Sequence, residues 1–147
     1  MSGVRFQRGN HVVADLERSL RFYRDVLGFE VAFTLPPNPE SYSYPVFDVP
    51  RGATLRFCVL STESQERVMA LTEVTGVALA PVPHPRRSAI VLEVEDPDRV
   101  TEGARALGLT VHPEEALRTK DGRVGREIGI VDPDDHLIVI YKITGRA

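Results

Sequence analysis

Hydrophobic and polar positions follow the same order twice along the chain. In the segment DLERSLRFYRDVLGF, apolar residues recur at helical spacing between an N-cap at Asp15 and a left-handed closing residue at Gly28. In the segment DPDRVTEGARALG, Asp96 is again the cap and Gly108 closes the apolar stripe. The two segments are offset by about 80 residues, which indicates an internal repeat.

Runs of β-prone residues flank both helices in the same order. They lie at 8–13 and 88–94 before the helices, at 29–33 and 109–111 after them, and at 52–60 and 135–143 at the end of each half. Each half therefore predicts a β-α-β-β-β module. We expect a single domain over 1–147, with modules at 1–60 and 88–147.

Two stretches fit this repeat less well. The stretch 61–87 joins the modules; it predicts a turn followed by a returning strand or a short helix, and a hairpin is preferred. The proline-rich stretch 35–50, which carries Tyr42 and Tyr44, predicts a loop that closes over a site.

Composition excludes several classes of protein. The chain has 147 residues and a net charge of −3, with its basic residues scattered, so we expect no nucleic-acid partner. Its one cysteine, Cys58, allows no intrachain disulfide and fits a reducing compartment. No apolar run approaches the about 20 residues of a membrane span, and the first residues lack a signal-peptide pattern. We expect a cytoplasmic protein with no membrane partner.

The segments DLERSLRFYRDVLGFEV and GREIGIVDPDDHLIVIYKI, set in the repeated module, resemble the vicinal oxygen chelate superfamily. That superfamily includes glyoxalases, bleomycin-resistance proteins and extradiol dioxygenases. The resemblance implies an α+β fold in which both modules form a cup-shaped mixed sheet with the helices outside. It also implies a small-molecule ligand and a homodimer. It specifies no activity, because the same scaffold carries lyases, isomerases, oxygenases and binding proteins.

The resemblance also points to four positions that usually hold a divalent metal. On the first strands these are Arg8 and Ala89, each seven residues before a helix cap, and on the last strands they are Arg56 and Val139. Arginine stays protonated without an acceptor lone pair, and alanine and valine carry no donor atom. The resemblance therefore implies a lost metal site and no cofactor.

The predicted ligand-binding residues are Arg8, Arg56, Glu93, Val139 and Tyr141. Two arginines in a partly dry cup favour an organic anion as the ligand. Glu93 either pairs with one of them or acts as a general base. Tyr141 shares the face of Val139 and either offers its phenol to the ligand or closes the cup wall.

Two alternatives stay open beside such a binding protein. One is a metal-dependent lyase or dioxygenase with ligands recruited elsewhere, and the other is a metal-independent isomerase or lyase that uses Glu93 or a tyrosine. His11 and His136 lie beside the metal positions, but strand alternation points them towards the helices. His84 and His112 are predicted to face solvent, and Cys58 to be a small buried hydrophobe rather than a nucleophile.

Overall fold

The computed structural model describes residues 3–147, and within them eight strands and three helices are formed. In chain order they are β1 (Gly9–Val13), α1 (Leu16–Tyr23), β2 (Glu30–Leu35), α2 (Ser43–Val46), β3 (Thr54–Ser61), β4 (Met69–Thr75), β5 (Ala89–Glu93), α3 (Pro97–Ala106), β6 (Glu115–Arg118), β7 (Arg123–Val131) and β8 (Leu137–Arg146).

The chain divides into two compact units, unit 1 up to Ala80 and unit 2 from Pro81 to Ala147. Unit 1 has a four-stranded sheet in the order β1-β4-β3-β2, and unit 2 one in the order β5-β8-β7-β6. In each sheet the first strand runs parallel to the last one, and the other neighbours are antiparallel. The predicted α+β fold with a repeated β-α-β-β-β order is confirmed.

Both long helices begin where the sequence predicts, and α3 also ends as predicted, whereas α1 ends at Tyr23 and hydrogen-bonded turns over 24–27 lead to Gly28. The Asp15 carboxylate accepts the Arg18 N–H at 3.1 Å, and the Asp96 carboxylate accepts the Arg99 N–H at the same distance. These bonds satisfy N–H groups that have no partner inside the helix. Gly28 (φ 89°) and Gly108 (φ 77°) follow the helices in the left-handed region, which favours glycine.

The last strand of unit 1 differs from the prediction. The run 52–60 corresponds to β3, and the chain then returns antiparallel as β4, which pairs with β1. The hairpin alternative for 61–87 therefore describes this segment, and β4 is the counterpart of β8. Counted from the helix caps, Asn10 is equivalent to Val91, and Asn10 pairs with Ala70 as Val91 pairs with Val139. Ala70, not Arg56, thus corresponds to Val139.

A second difference lies between α3 and β7. The run 109–111, predicted as a strand, contributes a single bridge between Val111 and Ile130. The strand beside β7 starts later, at Glu115, beyond Pro113, whose backbone has no N–H to donate to a ladder.

The stretch 35–50 packs on the sheet of unit 1. Tyr44 in α2 is 5% exposed and lies in a cluster with Leu55 and Val74. Its hydroxyl donates to the Ala53 carbonyl at 2.6 Å. The prediction that both tyrosines cover a ligand is therefore wrong for Tyr44, whose ring is core; Tyr42 is 77% exposed.

Candidate ligand site on the second sheet

The two faces of the unit 2 sheet differ in burial. Four isoleucines alternate along β7 and β8 on the face that carries α3, and each is at most 3% exposed: Ile128, Ile130, Ile138 and Ile140. Strand alternation places the residues between them on the other face, which we call the open face. Val91, at the centre of β5 on this face, is 62% exposed.

A row of polar side chains crosses the open face. Tyr141 on β8 pairs with Glu93 on one side and with Glu127 on the other, and Glu127 pairs in turn with Glu115 on β6. Paired neighbours share a face and lie about 4.8 Å apart. We call these four residues the acidic row. The structure thus brings the predicted site residues Glu93 and Tyr141 together.

Apolar side chains lie next to the acidic row. Val139, another predicted site residue, pairs with Val91 and with Gly129, and Leu137 pairs with Ala89. Val91, Leu137 and Val139 form what we call the apolar floor. The open face therefore offers a ligand an apolar surface with hydrogen-bonding groups along one side.

The polar groups of this row are not engaged elsewhere in unit 2. Among residues 3–147, the side chains of Glu93, Glu127 and Tyr141 make no hydrogen bond or ion pair with another residue. Glu115 and Glu127 are like charges directly opposite one another, an arrangement that destabilises a sheet. Stabilisation of the unit 2 sheet therefore does not explain why the acidic row is present.

His112 is a residue of the open face that the sequence did not reveal. Its N–H donates to the Gly129 carbonyl at 2.8 Å. A Cβ on Gly129 would lie 3.3 Å from the His112 Cδ2 and 3.6 Å from the Leu137 Cδ1. The imidazole therefore lies over Gly129, beside the apolar floor. The available signal was the glycine within a strand, which often marks a close approach of another group.

Arg56 lies away from any such surface. Its Nε and Nη2 donate to Glu73 at 3.2 and 3.3 Å, and the second Glu73 oxygen also accepts the Leu16 N–H at 2.6 Å. Because Leu16 opens α1, Arg56 and Glu73 lie on the α1 face of the unit 1 sheet. The prediction that Arg56 points away from the helices is therefore wrong, and its carboxylate partner is Glu73 rather than Glu93.

Arg8 is not close to Arg56. It precedes β1, and its Nε donates to the Arg67 carbonyl at 3.4 Å. Arg56 pairs with Glu73, which is opposite Val13 at the other end of β1. Arg8 and Val13 are five residues apart along the chain, which corresponds to about 16 Å at 3.3 Å per residue of strand. The structure does not bring the two arginines together.

Basic side chains near the acidic row of unit 2 already have partners. Arg126 donates to Asp98 and Glu114, both at 2.7 Å, and these hydrogen bonds lower the pKa of both carboxyl groups. Lys142 donates to the Glu95 carbonyl at 2.7 Å. An open cavity of about 880 Å³ borders Glu93, Asp98, Arg126 and Lys142. The two basic side chains among these residues, Arg126 and Lys142, therefore already have hydrogen-bond partners.

The turn before β8 is fixed by two aspartates. The Asp132 carboxylate, which is buried, accepts the N–H groups of Asp134 and His136, both at 2.8 Å. Asp135 follows at φ 72°, and Arg86 donates to both its carbonyl and its carboxylate. The hydrogen bond from Arg86 lowers the pKa of Asp135. These contacts position the start of β8 and hence Val139 and Tyr141.

Two other candidates occupy structural positions. His11 pairs with Leu71, and alternation places both on the same face as Glu73, towards α1. Cys58 is buried, and burial raises the pKa of its thiol although a hydrogen bond with Thr34 and the charge of Arg56 oppose the change. A thiol in these surroundings is a poor nucleophile at neutral pH.

The metal-binding positions implied by the family do not fit a metal. With the strand order corrected, they hold Arg8, Ala70, Ala89 and Val139. Three of these side chains have no donor atom, and the guanidinium of the fourth has no lone pair to give. No step of a reaction can therefore be assigned to a metal at these positions.

Comparison with known proteins agrees with the fold. A family model described as Glyoxalase/Bleomycin resistance protein/Dioxygenase superfamily matches residues 7–140. The chain therefore belongs to this superfamily. Among curated proteins, none is similar enough in sequence to count as a match. Within residues 3–147, no helix is long and apolar enough to cross a membrane.

Three solved structures show the range of relatives. A glyoxalase family protein from Bacillus cereus superposes with a TM-score of 0.74 at 16% identity, covering 99% of this chain and 97% of its own. The fosfomycin resistance protein FosX from Listeria monocytogenes, solved with Mn(II) and sulfate, gives 0.62 at 19% identity and coverages of 98% and 92%. The antibiotic binding protein TnmS3 from a Streptomyces species gives 0.61 at 18% identity and coverages of 98% and 99%.

Proposed function

We propose that this protein binds a small organic molecule on the open face of unit 2, with no metal at the family positions. One observation carries the proposal: a partly exposed apolar floor, with Val91 62% exposed, lies directly beside a row of unpartnered carboxylates and a phenol. An apolar surface with a few convergent polar groups is typical of ligand sites. The antibiotic-binding and fosfomycin-resistance relatives support a small molecule as the ligand.

The ligand that suits this face carries a positive charge. The anion expected from the sequence depended on Arg8 and Arg56 sharing one site, and Arg56 is paired with Glu73 on the α1 face. The open face instead presents Glu93 and Glu127 on either side of Tyr141. A cationic group beside two carboxylates is attracted by about 1 kcal/mol from each at 4 Å in water, and more where water is excluded.

A second function, a metal-independent isomerase or lyase, is favoured by the same row. Glu93 or Glu127 can accept a proton from a substrate, and the neighbouring Tyr141 hydroxyl can donate one. A binding protein returns its ligand unchanged, whereas an isomerase or lyase alters it. Mass spectrometry of small molecules that co-purify with the protein, before and after prolonged incubation, distinguishes the two. The homodimer and the cytoplasmic location stay predictions.

The charge preference can be measured with three probes that share one ring. We expect 1-naphthylmethylamine, a cation at neutral pH, to bind about thirtyfold more tightly than 1-naphthalenemethanol, because the two carboxylates contribute about 1 kcal/mol each. The anion 1-naphthylacetate should bind more weakly than either. Fluorescence titration at low ionic strength gives the three dissociation constants.

Variants identify the groups responsible for this preference. The double variant Glu93→Gln, Glu127→Gln should lose the difference between cation and alcohol while still binding the alcohol. Glu102→Gln, an exposed site on α3, changes the net charge without touching the open face and should keep the difference. Tighter binding of 1-naphthylacetate than of the amine would contradict the proposed ligand charge.

The purified protein should retain less than 0.1 equivalent of Zn, Ni, Fe or Mn per chain after dialysis against a weak chelator. The reason is that Arg8, Ala70, Ala89 and Val139 supply no ligating atom. Plasma mass spectrometry measures the metal content directly. One equivalent per chain would contradict the proposal and favour a metal-dependent enzyme with other ligands.

A further inference from the structure

We propose that His112 contacts the ligand on the open face and that Gly129 is the position that admits its imidazole there. This inference rests on the proposed function and adds a residue that determines specificity. His112 lies outside the strands, next to the Val111–Ile130 bridge, which holds its backbone beside β7 but does not fix what its side chain contacts.

The backbone of Gly129 does not require glycine. Its φ lies outside the left-handed region, and it occupies the interior of β7, where glycine weakens a strand. What glycine supplies here is space. A Cβ would stand 3.3 Å from the His112 Cδ2 and 3.7 Å from the His112 Cβ, so the ring would have to move by a few tenths of an ångström.

The seating of His112 leaves its ring nitrogens available. The residue is held through its main chain, by the bond from its N–H to the Gly129 carbonyl. Among the described residues, its imidazole makes no hydrogen bond to protein. One ring nitrogen can donate and the other accept, which suits a hydroxyl, amine or carbonyl group of a ligand.

The neighbours of His112 define the class of ligand. Gly129 pairs with Val139, and Leu137 lies against the same space, so the imidazole borders the apolar floor. Glu127 precedes Gly129 by two residues on the same strand and face. A ligand that covers the floor thus meets His112 on one side and the acidic row on the other. This arrangement fits a flat, ring-bearing molecule with polar groups at two edges.

A double-mutant cycle with 1-naphthylmethylamine tests the inference. We expect His112→Ala to weaken binding about fivefold, a typical value for one lost hydrogen bond. Gly129→Ala should weaken binding about threefold in the wild-type background and leave it unchanged in the His112→Ala background, because its effect acts through the displaced ring. Glu102→Gln, the exposed α3 variant that does not touch the open face, serves as the control.

The outcomes separate this inference from the proposed function. If wild type binds the amine and His112→Ala binds it equally well, the role of His112 is wrong while the open face remains the site. Equal weakening by Gly129→Ala in both backgrounds would also overturn the role of Gly129. If the wild type binds none of the naphthyl probes, both proposals fail. Melting temperatures of all variants show whether any loss of binding reflects unfolding.

Discussion

Tyr44→Ala should lower the free energy of unfolding by about 3–4 kcal/mol, the cost typical of removing a large buried ring. The ring is 5% exposed and packs against Leu55 and Val74, and its hydroxyl is bound to the Ala53 carbonyl. Removal of the side chain creates a cavity and leaves that carbonyl without its partner. Urea unfolding, with the midpoint and slope both fitted, measures the change.

Two neighbouring variants give this result its meaning. Tyr42→Ala removes the same side chain from an exposed position two residues away and should change stability by less than about 0.5 kcal/mol. Tyr44→Phe, which keeps the ring, should cost about 1 kcal/mol for the lost hydrogen bond and leave binding of the naphthyl probes unchanged. Weaker probe binding in Tyr44→Phe at unchanged stability would restore Tyr44 as a lid residue.

Glu73→Ala should cost about 2–3 kcal/mol of unfolding free energy, because two donors lose their acceptor together. One is the guanidinium of Arg56, bound through two nitrogens, and the other is the Leu16 N–H at the start of α1. The Glu73 side chain is 13% exposed, so water replaces little of what is lost. Thermal or urea unfolding of the purified variant gives the value.

Arg56→Ala provides the comparison. The Arg56 side chain is 37% exposed, and its removal still leaves Glu73 with the Leu16 N–H, so we expect a cost of about 1 kcal/mol or less. The double variant should resemble Glu73→Ala, since both changes remove the same ion pair. Glu63→Ala, in the exposed turn after β3, should be neutral. Loss of probe binding in Arg56→Ala, at unchanged stability, would instead support its predicted ligand role.

The sequence was informative about the helices and less so about the strand order. The caps at Asp15 and Asp96 and the closing glycines act locally, so their spacing predicts both helix starts, the end of α3 and the repeat, although α1 ends earlier, at Tyr23. β4 was ambiguous because nearly all of its residues are buried, on both faces of the sheet, and the alternation that marks a strand is absent. Taking β3 as the last strand then assigned Arg56 to the wrong face.

For the candidate site, the sequence could predict only which residues of the same strand share a face. Alternation within β8 relates Val139 to Tyr141, and alternation within β5 relates Glu93 to Ala89. Glu127, Glu115 and His112 join these residues through pairing across strands, and one residue of register would remove them from the face. No local pattern fixes that register, so the acidic row emerges only from the folded sheet.

The burial of Tyr44 has a consequence for stoichiometry. A chain that repeats one module begins with two equivalent sheet faces, and each could in principle bind a molecule. The segment between β2 and β3 of unit 1 covers the Leu55–Val74 part of its sheet with its own aromatic ring, while the corresponding face of unit 2 keeps Val91 exposed. The duplicated architecture thereby leaves one such face open, and we expect saturation at one molecule per chain.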